Sequence, residues 1–219
     1  MKTTEIEKKI EHLLPMEIEK RSFEIIAEEL AARKIVLPPD QDPITRRVIH
    51  TSADFEYAET MRYSEGAIAR AKELICSGAD IVTDTNMALS GINKKQLAKF
   101  GGQVHCFMAD ETVAKLAVER KTTRAAVSME MAAKIDKPVI FAVGNEMTAL
   151  IQLYEMIQQG SYTPAFIIGV PVGFVNVEAA KELIMETDVP YIVNQGRKGG
   201  SNIAAAICNA LIYTMVDRG

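Results

Sequence analysis

Apolar and polar positions along this chain alternate between a helical and a strand-like rhythm. Within residues 16–33, Phe23, Ile26, Ala27 and Leu30 recur at helical spacing, with Pro15 well suited to the start of the helix. Residues 37–43, Leu-Pro-Pro-Asp-Gln-Asp-Pro, cannot continue a helix and predict a loop. The loop delivers the chain to Val48, Ile49 and Thr51, whose β-favouring side chains predict a short strand with His50 at its carboxyl end. Thr51-Ser52-Ala53-Asp54 is then a polar set able to cap a following helix. A helix is predicted over 65–76, carrying Ile68, Ala71 and Leu74 or Ile75, with Gly78 as its stop. Residues 80–84 read as a short buried strand that Thr85-Asn86 leads into 87–92, and 103–107 as the next strand. Residues 110–119 are helical, and Thr122-Thr123 can cap a helix bearing Val127, Met131 and Ile135. The unbroken apolar run 138–143 is what a strand covered on both faces requires. Gly144-Asn145 turns it into a helix with Ala149, Leu150, Leu153 and Ile157 facing inward. The pattern repeats as strand 164–168, turn 169–173 and helix 178–185. It repeats again as 191–193, Gly196-Arg197-Lys198-Gly199-Gly200 and a helix carrying Ile203, Ile207 and Leu211.

This alternation predicts a three-layer α/β/α fold around a mostly parallel, Rossmann-like sheet. There is no internal repeat, low-complexity segment or compositional break, so one domain is expected over 1–219, with 1–14 as a flexible N-terminal extension. A chain of 219 residues with 48% hydrophobic content is long enough for one sizeable core. Its 25 basic against 29 acidic residues argue against a general binder of nucleic acid or membrane surfaces, while leaving room for a local basic pocket. The charged start lacks the apolar core of a signal peptide. The longest apolar run, 165–175, is interrupted by Gly169, Pro171 and Gly173 and is too short to span a bilayer. A soluble, cytoplasmic protein is expected. Cys76, Cys106 and Cys208 are far apart with no C-x-x-C pair, and read as reduced, buried thiols.

Chemistry should then sit in the strand-to-helix turns, at the carboxyl edge of the sheet. His50 is the first candidate, because imidazole exchanges protons near neutral pH; the competing reading is a structural histidine. The turns 169–173 and 196–201 combine glycines with helix starts, whose free N–H groups suit carboxylates or phosphates, and Arg197 and Lys198 add cations. Those glycines also fit a role confined to tight turning. No G-x-G-x-x-G, P-loop or G-x-S-x-G is present, so nucleotide and hydrolase readings are poorly supported. His12, His50 and His105 are too scattered to predict a metal site. Asp80 and Asp84 flank a strand, where helix capping or surface charge competes with a paired acid/base role. Arg21 and Ser22 read as an exposed helix face.

The strings RVIHTSADFEYA, DTNMALSGI, TRAAVSMEMA, PVGFVNVEAAKE and GRKGGSNIAAAICNAL, in this order, resemble the precorrin-8X methylmutase family, including its cobalt-precorrin-8 counterparts. The similarity runs from Arg21-Ser22-Phe23 to the final helix and departs from the family pattern at Glu146-Met147 and Asn176-Val177. The resemblance implies an isomerase of corrin (vitamin B12) biosynthesis that moves a methyl group from C-11 to C-12 of precorrin-8X or cobalt-precorrin-8. It further implies a homodimer with substrate near the subunit interface and no separate cofactor, cobalt entering only as part of the substrate. His50 matches the family's catalytic histidine, acting at the ring C nitrogen, and Ser22 matches a substrate-contacting position. Because the substrate is a polyacid, Arg124, Arg197 and Lys198 are expected at its rim, with Asn86 bonding a carboxylate. Arg21, Thr51, Thr85 and Gly173 complete the expected substrate-binding set. Transient contact with neighbouring corrin-pathway enzymes is a further expectation; nucleic acid, membrane and a protein-held metal are not expected. A non-catalytic corrinoid carrier and a nucleotide-dependent enzyme are the alternatives. His50 favours catalysis over carriage, since binding alone needs no titratable group beneath the ring.

Overall fold

The computed structural model describes residues 10–216. The chain divides into two compact units, Met1–Val36 and Leu37–Gly219. Of the extension expected over 1–14, residues 1–9 lie outside the described residues. In the first unit, helix α1 (Pro15–Ala32) follows Leu14, whose N–H donates to the Glu17 carboxylate at 3.0 Å. Glu17 thus satisfies one of the donors that a helix start leaves open, and Pro15 sits where a missing N–H does no harm.

The second unit runs α2 (Asp42–Ser52), α3 (Tyr57–Thr60), β1 (Met61–Tyr63), α4 (Ala67–Cys76), β2 (Asp80–Thr83), α5 (Asn86–Gly91) and α6 (Lys94–Leu97). It continues through β3 (Val104–His105), α7 (Glu111–Glu119), α8 (Arg124–Ala132), β4 (Val139–Val143) and α9 (Met147–Gln158). It ends with β5 (Phe166–Gly169), α10 (Val177–Met185), β6 (Tyr191–Asn194) and α11 (Ser201–Tyr213). The sheet order is β1-β6-β5-β4-β2-β3, and every pairing is parallel except that of β1 with β6. Helices α2, α4 and α5 gather around α11 on one face, while α7 to α10 pack in series on the other. The expected three-layer α/β/α arrangement is the one observed.

The pleat explains the continuous apolar strands. Val139, Phe141 and Val143 join Met129, Leu150, Leu153 and Ile184 on the α8–α10 side. The alternate residues Ile140 and Ala142 point to the α11 side, so all five β4 positions are buried. Filling both faces at a central strand stabilises by about 1.5–3 kcal/mol for each large side chain.

The expected His50 strand is a helix. Ile44, Thr45, Val48 and Ile49 are fully buried at spacings of one and four residues, which is the inward stripe of α2 packed on α11. That tertiary stripe overrides the β propensity of Val48, Ile49 and Thr51. Pro43 therefore falls in the first turn of α2, and the loop expected over 37–43 ends before Asp42. Thr51-Ser52-Ala53-Asp54 ends α2 instead of capping a following helix: Ala53 is left-handed (φ 54°), and Asp54 turns the chain by accepting the Glu56 N–H at 3.0 Å. The strand expected over 103–107 shrinks to Val104–His105, and the short antiparallel edge strand β1 was not expected. Cys208 is buried, but Cys76 is exposed, at the end of α4, and Cys106 is partly exposed.

Candidate active site

From β2 the chain goes to β3 on one side, and from β4 to β5 and β6 on the other, so the order reverses between β2 and β4. In open α/β sheets such a reversal leaves a crevice at the carboxyl ends of the strands. Here the crevice floor is occupied by the protein's own carboxylate. Asp84, directly after β2 and completely buried, accepts the N–H of Gly144 at 2.9 Å and those of Asn145 and Glu146 at 2.7 Å each. Burial pushes its carboxyl up, against three N–H bonds that favour the charged form. Helix α9 has no capping side chain of its own, so Asp84 serves its N-terminus from across the sheet. The reading of Asp84 as surface charge is overturned, and so is that of Asp80. Asp80 is also buried and bonds His105 Nε2 at 2.8 Å and the Gln103 N–H at 2.9 Å.

Three neighbouring turns meet backbone to backbone. A Cβ at Gly144 would lie 2.7 Å from the Gly200 carbonyl oxygen and from Ser201 Cα, and one at Gly199 would fall on the Val170 carbonyl. Only glycine allows this approach, and the Gly200 N–H seals it with a 2.9 Å bond to the Val170 carbonyl. Thr85 ties the β2 turn to the same place, its hydroxyl 2.7 Å from the Ser201 hydroxyl while it also caps α5 through the Ala88 N–H.

The loop 195–200 between β6 and α11 is held from two sides. From within the protein, Lys181 Nζ donates to the carbonyls of Gly196 (2.7 Å) and Lys198 (2.9 Å), and Asn194 Nδ2 donates to the latter at 2.9 Å. At its outer side, Lys198 Nζ pairs with Asp54 at 2.5 Å and Glu56 at 2.7 Å. The Lys198 bond holds the Asp54 carboxyl below the usual carboxylate range, and both partners raise Lys198. This clamp fixes where His50 goes. Arg47 lies over the Tyr213 ring at the far end of α11, whereas Asp54, just past α2, is bonded in front of α11's start. Helix α2 therefore runs antiparallel to α11, and His50, in its last turn and partly buried, arrives at the carboxyl edge of the sheet.

The other predicted residues divide by location. Thr85, Asn86, Gly173, Arg197 and Lys198 all lie on the turns of this edge; Asn86 is exposed, and the Gly173 N–H donates to the Arg197 carbonyl at 3.1 Å. Arg197 is ion-paired to Glu178 at 2.7 Å and lies over the Phe174 ring at 5.7 Å. Arg124, exposed, opens α8 directly after Thr123, whose hydroxyl is 2.8 Å from that of Thr148 in the first turn of α9. That contact brings Arg124 to the same edge. Thr51 is exposed, and its hydroxyl donates to the Arg47 carbonyl within α2. Arg21 and Ser22 belong to the first unit: Arg21 pairs with Glu11, Glu24 and Glu28, and the Ser22 hydroxyl donates to the Ile18 carbonyl. Apolar side chains complete the edge, with Met87 70%, Phe174 84% and Val175 68% exposed.

Sequence reasoning missed Asp54, Glu56, Asn194 and Lys181 as parts of this site. Lys181 had a legible signal. With Val177, Ala180 and Ile184 it occupies the i, i+3, i+4, i+7 stripe of an amphipathic helix, where a lysine is out of place unless its ammonium has a task. Among the described residues, no group of three or more His, Cys, Asp or Glu side chains could hold a metal ion. No helix among them is long and apolar enough to cross a membrane.

Among known proteins similar to this chain, two related names recur, precorrin-8X methylmutase and cobalt-precorrin-8 methylmutase. The family model described as precorrin-8X methylmutase matches residues 17–214. The cobalt-precorrin-8 methylmutase of Priestia megaterium is 42% identical over 205 residues, covering 94% of this chain and 90% of the relative. That of Salmonella typhimurium is 39% identical over 203 residues, 91% of this chain and 95% of the relative. The solved structure of precorrin-8x methyl mutase from Thermus thermophilus superposes with a TM-score of 0.80 at 40% identity, over 90% of this chain and 96% of that one. With a match across nearly its whole length, the chain belongs to the precorrin-8X methylmutase family, a family of isomerases.

Proposed function

We propose that this enzyme acts in cobalamin biosynthesis, moving a methyl group from C-11 to C-12 of precorrin-8X or cobalt-precorrin-8 to give hydrogenobyrinate or cobyrinate. The observation that carries the reading is the family match over residues 17–214, with the family-type histidine, His50, delivered to the sheet edge where ligands bind in this architecture. The reaction is an isomerisation, so no co-reactant is consumed and no separate cofactor is required; cobalt, where present, is a constituent of the substrate. His50 donates a proton or hydrogen bond to the ring C nitrogen. Electron density drawn to that nitrogen makes the adjacent ring carbon a better acceptor for the migrating methyl, and the proton returns to the imidazole once the methyl has settled. General acid help of this kind is worth about 100- to 10,000-fold.

Binding sets the geometry for the shift. Arg124 and the N–H groups of the turns hold peripheral carboxylates of the macrocycle, with Arg197, Lys198, Thr85 and Asn86 beside them. The exposed apolar side chains of the turns, Met87 and Phe174 among them, pack against the macrocycle face. Holding the ring rigidly keeps the methyl over its destination. The same reading makes the enzyme a homodimer.

The test is His50→Ala, with conversion followed by the visible spectrum of the pigment and binding by titration with product. The variant should fold and bind product with little change while kcat falls about 100- to 10,000-fold. Full activity in that variant would remove His50 from the mechanism.

A further inference from the structure

The loop 195–200 turns its carbonyls toward the protein. Gln195 accepts from Asn194 Nδ2 at 3.3 Å and Arg197 from the Gly173 N–H at 3.1 Å. Gly196 accepts from Lys181 Nζ, and Lys198 from both Lys181 Nζ and Asn194 Nδ2. Across a trans peptide, a carbonyl and the N–H that follows it point in opposite directions. The N–H groups of Gly196, Arg197, Lys198 and Gly199 are therefore turned away from these donors, and none bonds to another described residue. Successive free N–H groups of this kind form a concavity suited to a carboxylate.

Lys181 is the unusual part of this arrangement. Its side chain is completely buried on the apolar stripe of α10, and it makes no ion pair with a described residue. The nearest acid influence is Glu178, which is itself paired with Arg197. An apolar side chain would sit in this position at less cost, because a buried ammonium is desolvated without a counter-charge. Its two described hydrogen bonds both go to carbonyls of the loop. Desolvation lowers Lys181 to about 8, so it still carries its charge at neutral pH.

We propose that Lys181 is a positioning residue for the methyl shift, drawing the Gly196 and Lys198 carbonyls inward so that the outward N–H groups of 196–199 receive a carboxylate of the macrocycle. The buried positive charge behind the loop adds to the attraction for that anion. This rests on the functional reading above, and it adds the group that shapes the anion contact.

The decisive variant is Lys181→Met, which keeps the volume and suits the apolar stripe. If Lys181 positions the loop, KM for precorrin-8X and the Kd for product rise at least tenfold, kcat stays within about threefold, and the urea midpoint does not fall. A purely structural lysine would instead lower the urea midpoint and leave KM and Kd unchanged, and that result overturns the proposal. A measurement on the wild type needs no variant to fold. Titration with product should shift the amide resonances of Gly196, Arg197, Lys198 and Gly199, and unmoved resonances in a protein saturated with product also overturn the proposal. A wild type that binds no product would defeat the functional reading itself. A Lys181→Met variant that binds product as tightly as the wild type defeats only the role given to Lys181.

Discussion

Removing the Asp84 carboxylate tests whether the crevice floor is held as the geometry says. Three backbone donors converge on one completely buried side chain, at 2.9, 2.7 and 2.7 Å. Hydrogen bonds to a charged acceptor contribute about 1.5–3 kcal/mol each, so the gross loss in Asp84→Ala is roughly 5–9 kcal/mol. Two effects reduce it. Truncation also removes a charge that burial penalises, and Asn145 is exposed enough for water to reach its N–H. Gly144 is buried, and its N–H would stay unsatisfied. The net expectation is about 3–4 kcal/mol, or a melting temperature lower by roughly 10 °C for a chain of this size. Asp84→Asn separates charge from shape, because the amide fits the space but turns an NH2 group toward at least one of the N–H donors. It should lose at least about half as much. Urea unfolding followed by circular dichroism reads both variants, with an unchanged m-value as the check that only stability has moved. If both stay within about 1 kcal/mol of the wild type, the turn into α9 stands without Asp84 and the account of the crevice floor is wrong.

Gly199→Ala should destabilise by more than about 2 kcal/mol and weaken product binding, since the new methyl group falls on the Val170 carbonyl; equal stability in urea would show that the turns are not packed as tightly as described. Asp54 is held low by Lys198, so the clamp contributes above the ordinary aspartate range and is lost as pH falls through the lowered value of the folded state. With side chains 31% and 43% exposed, it is worth under about 1 kcal/mol, and stabilities of wild type and Asp54→Asn should converge in acid; a gap that persists at low pH contradicts the linkage. Arg124→Ala should weaken binding of the acidic product roughly fivefold, about 1 kcal/mol, and an unchanged Kd would take Arg124 out of the pocket.

The order of strands and helices was legible because a doubly covered sheet writes its strands as unbroken apolar runs, as at Val139–Val143, with glycine turns between them and the helices. His50 misled for a physical reason: its neighbours Val48 and Ile49 favour strands, and only the partner surface of α11, distant in sequence, turns them into a helix face. The family strings nonetheless marked His50 as a candidate without any reference to that local structure. Asp84 was ambiguous because its three donors come from sixty or more residues away. The ion pairs of Lys198 were hidden likewise, its partners lying 144 and 142 residues earlier.

Those pairings change how an acidic ligand must be held. Counted from sequence, Arg197 and Lys198 offer two positive charges at the rim. In the folded chain Lys198 sits between Asp54 and Glu56 and Arg197 is bonded to Glu178, so the local sum is negative. A polyacid approaching this side meets an unfavourable field unless something else attracts it. Arg124, which makes no ion pair with a described residue, and the outward N–H groups backed by buried Lys181 are the groups placed to do so. Contacts to the N–H groups backed by Lys181 depend less on salt than attraction to exposed charges such as Arg124, which ionic strength screens within about 8 Å at physiological concentration. Product affinity that falls only modestly between low and physiological salt would give the main role to the N–H groups, whereas a steep fall would give it to the exposed cations, Arg124 included.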